Sequence, residues 1–171
     1  MSWIHFSPIA IIIMTSVIKH YIYNKTTYTN SWYDKLLKDD DAPDTNHFTL
    51  LLIVFQTLLA MPWSLSLSFI KNPKVQETIN FLFVMSCILS LSWSIKFFVL
   101  HDITDSVIII IFNVITILLL IWFLSYNYYL MGMMIIYALW MCYVLKIMLF
   151  VLNNNISENS HLTHIHSSFE F

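Results

Sequence analysis

Residues 106–124 read SVIIIIFNVITILLLIWFL, nineteen residues without a single charge. A helix needs about 20 largely apolar residues to cross a bilayer's hydrocarbon core, so this stretch reads as a transmembrane helix. Four further runs are similar, at about 4–23, 48–70, 78–100 and 128–152. The reading is an all-α integral membrane protein, a five-transmembrane-helix bundle. Composition agrees: of the 171 residues 58% are hydrophobic and 11% charged, against roughly 25% charged in an ordinary soluble domain. With a net charge of −2 and eight basic residues, all lysine, no electrostatic footprint for nucleic acid exists. The first residues carry neither the basic start nor the cleavage site of a signal peptide, so the first run is expected to be a retained helix.

The connections are uneven. The first span closes on Lys19, His20, Tyr21 and Tyr23, residues suited to a membrane interface. The longest connection, about 24–46, contains Ser31 ahead of Trp32, Tyr33 and Asp34, the spacing of a serine-capped short amphipathic helix at about 32–38. Pro62 is expected to kink the second span. The tight Ser125, Tyr126, Asn127 link makes the fourth and fifth spans antiparallel neighbours. From 153 to 171 the chain is polar and reads as a disordered tail. Lys19, Lys25, Lys35, Lys38 and Lys96 fall on one face and Lys71 and Lys74 on the other, which under the positive-inside rule puts the long loop and the C-terminus in the cytoplasm.

Candidate chemistry is sparse. The spans have no aspartate or glutamate in their interiors, which argues against a proton-coupled pump. One glycine, Gly132, excludes a glycine-rich phosphate cradle. Cys87 and Cys142 lie in apolar runs and read as packing residues. Asp39, Asp40, Asp41 and Asp44 lack the glycine turn and distal glutamate of a calcium loop and read as a solvated loop. His161, His164 and His166 have no fixed scaffold or fourth ligand. No catalytic residue and no metal site is assigned.

Aromatic residues stand out instead. Trp93, Phe97 and His101 follow at four-residue steps and form a one-sided ladder. Tyr137, Trp140 and Tyr143, three apart, share an arc of roughly 120°. Each ladder is either ordinary helix packing or the wall of a pocket that sandwiches a flat conjugated molecule. His101 is either a solvated interfacial residue or a contact for an anionic or metallated ligand. Lys96 is expected to snorkel to the headgroups. Leu139, Tyr143 and Lys146 fit the loose sterol-contact pattern, which carries little weight.

These residues resemble the translocator protein or tryptophan-rich sensory protein (TspO) family over about 32–148. After its first helix that family has a Trp-Tyr pair, a leucine, a lysine, prolines and a phenylalanine; here stand Trp32, Tyr33, Leu36, Lys38, Pro43 and Phe48. Its third helix ends Trp-Ser-Pro-x-Phe-Phe-x-x-His, matched by Trp93, Ser94, Phe97, Phe98 and His101, with Ile95 at the proline. Its fifth helix carries Pro-Tyr-x-x-Trp-x-x-Phe, matched by Ile136, Tyr137, Trp140 and Tyr143, again without the proline. Ala60 and Met148 replace a glycine and an asparagine.

The resemblance implies a homodimer of five-helix bundles with a pocket under the first loop, taking a porphyrin or haem as ligand rather than as a required cofactor. Partners would be a tetrapyrrole or lipid-like small molecule and membrane lipid. The implied site is Trp32 and Tyr33 as a lid, Trp93, Phe97, Tyr137, Trp140 and Tyr143 as stacking surface, and Lys38, Lys96 or His101 near the ligand's carboxylates. Some bacterial members resemble light-dependent porphyrin-degrading enzymes that use a second-helix tryptophan; Leu52 stands there, so a receptor is expected rather than an enzyme. A small transporter or structural subunit is the remaining alternative.

Overall fold

The computed structural model describes residues 7–29, 32–36, 42–43 and 45–167, with no strand among them. The helices are α1 (Ser7–Thr29), α2 (Trp32–Lys35), α3 (Thr45–Leu58), α4 (Ala60–Phe69), α5 (Pro73–Phe98), α6 (Ile103–Leu124) and α7 (Tyr128–Ser167). Four segments are long and apolar enough to cross a membrane, Leu50–Phe69, Pro73–Phe98, Ile103–Leu124 and Tyr128–Asn155, and Pro8–Tyr23 adds a shorter apolar one. The chain is a multi-pass membrane protein with the five-helix content its sequence leads one to expect.

Local chemistry sets the ends. Asn72 caps α5 by accepting from the Lys74 N–H at 3.1 Å, with Pro73 at the first helical position, where a missing N–H costs nothing. At the far end His101 takes a left-handed φ of 57°, and the N–H groups of Leu100 and Asp102 return to the carbonyls of Ile95 and Lys96 at 3.1 and 3.0 Å. The orphan carbonyls of the last turn are thus satisfied. Asp102 then caps α6 by accepting from the Asp105 N–H at 3.0 Å, and the Asn127 side chain accepts from Tyr129 and Leu130 at the start of α7.

The second span is interrupted at one residue. Pro62 has no N–H, and its ring crowds the carbonyl four residues earlier, so α3 stops at Leu58 and α4 starts at Ala60. Leu59 between them keeps helical φ and ψ of −64° and −23°, and its N–H reaches the Phe55 carbonyl at 3.3 Å, the local distortion expected of a proline kink. α7 continues beyond 152: the helix runs through the segment read as a disordered tail, as far as Ser167. The Asn154 and Asn155 side chains bond back to the carbonyls of Phe150 and Val151. In the first loop α2 covers four residues. Ser31, Lys38, Asp39, Asp40, Asp41 and Asp44 lie outside the described residues, as do the side chains of Trp32, His161, His164 and His166.

α5 packs along α6, and α6 along α7. α1 lies against α3, α4 and α5, while α3 and α4 reach α7, which closes the ring. α1 turns its polar residues inward: Ile12, Thr15, Lys19 and Tyr23 are buried, whereas Ile9, Ile13, Met14, Val17 and Tyr21 are exposed. On α5, Ser86, Ser90 and Ser94 are all buried, a ladder of small residues that lets neighbouring backbones approach.

Candidate functional site

The interior holds two adjoining regions, one aromatic and one polar. The aromatic region lies beneath the first loop. The Tyr33 ring stacks on Phe48, centroids 5.3 Å apart and planes 7° apart, and meets Phe97 edge-on at 6.0 Å. Its hydroxyl donates to the Pro43 carbonyl at 3.2 Å, so a buried side chain ties α2 to both the loop and the bundle. Trp93 stacks on Phe97 at 5.9 Å and meets Phe48 edge-on at 6.2 Å. Phe98 fills the corner, 4.9 Å from Phe97 and 4.5 Å from Tyr23. Trp140 joins from α7: Phe48 is 6.3 Å away, Tyr143 is 5.7 Å away, and Phe55 lies parallel at 4.5 Å and 4°.

Four helices and α2 therefore contribute to one buried cluster. Offset and edge-to-face pairs at 4.5–7 Å are the favoured aromatic arrangements. One polar atom inside is unanswered: the Trp93 indole N–H is buried with no hydrogen-bond partner among the described residues.

A cavity of about 130 Å³ lies against this cluster at the Pro62 kink of the second span. Phe55, Leu59, Pro62 and Tyr137 form part of its wall, and Leu58, Met61 and Ile136 also line it. The last three are exposed, so the cavity meets the lipid-facing surface. Pockets for drug-sized ligands run to about 300–1,000 Å³; this space does not hold a macrocycle until the Phe55–Trp140 stack or the Tyr33 lid moves.

Below the aromatic cluster is the polar region. Lys19 Nζ donates to Gln56 Oε1 at 3.0 Å and to Ser90 Oγ. Ser90 Oγ itself donates to Gln56 Oε1 at 3.0 Å, and Gln56 Nε2 donates to Cys87 Sγ at 3.7 Å. The hydroxyls of Tyr23 and Ser94 share a hydrogen bond of 3.3 Å, which links this seam to the aromatic cluster. The Tyr137 hydroxyl meets Ser86 and Ser90, and Ser86 donates to Asn113 Oδ1 at 2.8 Å.

Of the residues singled out from sequence, Tyr33, Trp93, Phe97, Trp140 and Tyr143 come together in the cluster. Tyr137 is buried beside it, lining the cavity rather than joining the stack. His101 is exposed in the α5–α6 connection. Lys96 is an ion-pair member rather than a snorkelling side chain: its Nζ is 2.6 Å from Asp105 Oδ2 and 3.8 Å from Asp102 Oδ2. Lys19 and Tyr23 are corrected most: neither marks an interface, because the stripe they share with Thr15 faces the bundle. Phe48, Phe55 and Phe98 were missed as cluster members, and Gln56 and Ser90 as polar partners. The four-residue steps from Thr15 to Lys19 to Tyr23 were the available signal.

A sequence model of the TspO/MBR family matches residues 7–152. Among curated proteins none matches the chain.

Proposed function

Because the chain belongs to the TspO/MBR family, we propose that this membrane-embedded bundle is a receptor for a flat conjugated ligand of the tetrapyrrole class. Family membership supports a membrane sensor or binding protein in general; the ligand class is our reading of the interior. The observation that carries it is the single buried cluster of Tyr33, Phe48, Phe55, Trp93, Phe97, Phe98 and Trp140. Lipid tails are as apolar as a leucine core, so a membrane bundle has no hydrophobic reason to gather its rings inside. A planar ring system inserted beside Trp140 exchanges protein stacking for ligand stacking at little cost. The unanswered Trp93 N–H offers a donor to an acceptor on the ligand.

The parallel Phe55–Trp140 pair beside the cavity is the natural point of entry, with Tyr33 closing the bundle under the first loop. Leu52 stands buried in the second span, where the porphyrin-degrading relatives implied by the resemblance use tryptophan, so the reading stops at binding. The long first loop and the C-terminal end of α7 are placed in the cytoplasm. Lys19 no longer counts toward that placement because it points into the bundle; Lys25, Lys35 and Lys38 against Lys71 and Lys74 carry it.

Titration of the purified protein with protoporphyrin, followed by tryptophan quenching, tests the proposal. Saturable quenching that weakens in Trp140→Ala is expected. Absence of saturable quenching, or quenching indifferent to Trp140→Ala, overturns it.

A further inference from the structure

Lys19 is a buried amine with no carboxylate beside it among the described residues. Its Nζ is fully buried, and both groups it touches, Gln56 Oε1 and Ser90 Oγ, are neutral. The described spans have carboxylates only near helix starts, Glu77 in α5 and Asp105 in α6, and Asp105 is held by Lys96. The one ionisable side chain shown to act on Lys19 among the described residues is Cys87, a far weaker acid than a carboxyl. An ionisable side chain in the middle of a membrane bundle costs several kcal/mol and pairs with an opposite charge where one exists. Among the described residues none is placed beside Lys19.

The seam around Lys19 is also connected to space. Tyr137 lines the cavity and its hydroxyl meets Ser86 and Ser90, while Ser90 is bonded to Lys19. One side chain therefore separates the cavity from a seam of hydroxyl donors and an ammonium. Carboxylates are bound well by such sets, because charge-assisted hydrogen bonds are roughly twice as strong as neutral ones.

We propose that Lys19 is the anion-recognising group of the bundle and receives the carboxylate of a ligand whose apolar body lies against Phe55, Trp140 and Tyr137. This deepens the receptor reading and rests on its premise that the interior takes a ligand. It replaces Lys96 and His101 as the carboxylate contact: the first is ion-paired and the second is in the exposed connection. The recognised chemistry is a carboxylate on an apolar body, whether that body is a tetrapyrrole or a fatty acyl chain.

The test uses the full chain in nanodiscs of zwitterionic lipid, titrated with protoporphyrin and its dimethyl ester, and separately with oleate and methyl oleate. For at least one pair the acid should bind tenfold or more tightly than the ester. That preference should vanish in Lys19→Met and persist in Lys19→Arg, with ester affinity unchanged. Protoporphyrin binding without any acid preference in either pair keeps the tetrapyrrole reading and overturns this one. Lys19-dependent oleate binding without protoporphyrin binding does the reverse. A preference that survives Lys19→Met, or no binding of either acid, also overturns the proposal. Matching tryptophan fluorescence and elution profiles of Lys19→Met and the parent chain establish that the variant is folded.

Discussion

Replacing Lys19 by Met should leave the ligand-free protein as stable as the parent or stabilise it, and the structure gives the magnitude. The substitution removes two hydrogen bonds, to Gln56 Oε1 and Ser90 Oγ, worth about 0.5–1.5 kcal/mol each. It orphans neither acceptor, because Ser90 Oγ already donates to Gln56 Oε1 at 3.0 Å. Against that loss stands removal of a buried lysine from an apolar span, at most about 2.5–3.5 kcal/mol, the insertion-scale figure for a helix centre. Methionine is flexible enough to fill the vacated space without strain. The balance lies between about −0.5 and +2.5 kcal/mol of added stability. Reversible unfolding in mixed detergent micelles, followed by tryptophan fluorescence, measures it. Destabilisation beyond about 2 kcal/mol would mean that Lys19 is a structural clamp, and would refute the view that the fold carries it at a cost. Gln56→Leu is the contrast, since it removes an acceptor from a buried cation and should cost at least about 1–3 kcal/mol.

Trp140→Ala removes the ring beside Phe55 on which the ligand would stack; at about 0.5–1.5 kcal/mol per aromatic pair, protoporphyrin affinity should fall roughly two- to tenfold in fluorescence titration. Tyr33→Phe keeps the Phe48 stack but loses the bond to the Pro43 carbonyl, so stopped-flow association should quicken while the equilibrium affinity stays nearly constant. Ser86→Ala leaves the Asn113 amide, whose Nδ2 has no partner among the described residues, without the Ser86 bond; stability should drop by about 1–3 kcal/mol and recover in Ser86→Ala with Asn113→Leu, because removing both partners is nearly neutral.

Span number and order were legible because length and hydropathy are read along the chain, and neither depends on which way a side chain points. The aromatic ladders were legible for a related reason, since four-residue steps fix a shared face. Direction was harder to read. Lys19 near the end of an apolar run looks like an interfacial residue when the run is taken as a uniform cylinder. Its true place follows from the stripe of Thr15, Lys19 and Tyr23, which turns inward because lipid rejects all three polar groups. Phe48 and Phe98 were visible as motif letters but not as packing partners, because ring contacts between α3 and α5 depend on how the helices are rotated. The kink was legible from Pro62, which lacks the N–H that a continuous helix would use, and the interruption is confined to Leu59. The helical course of 153–167 went unread because a polar composition says little about a helix that extends from an already formed one.

The cavity at the kink of the second span opens between Leu58, Met61 and Ile136, side chains that are exposed. If the proposed ligand enters there, it is drawn from a two-dimensional reservoir, and its occupancy follows its mole fraction among the lipids rather than its concentration in water. A receptor of that kind reports how much of an apolar compound the membrane has dissolved. A solute at vanishing aqueous concentration fills it as readily as one that is abundant in solution, provided both have partitioned to the same extent.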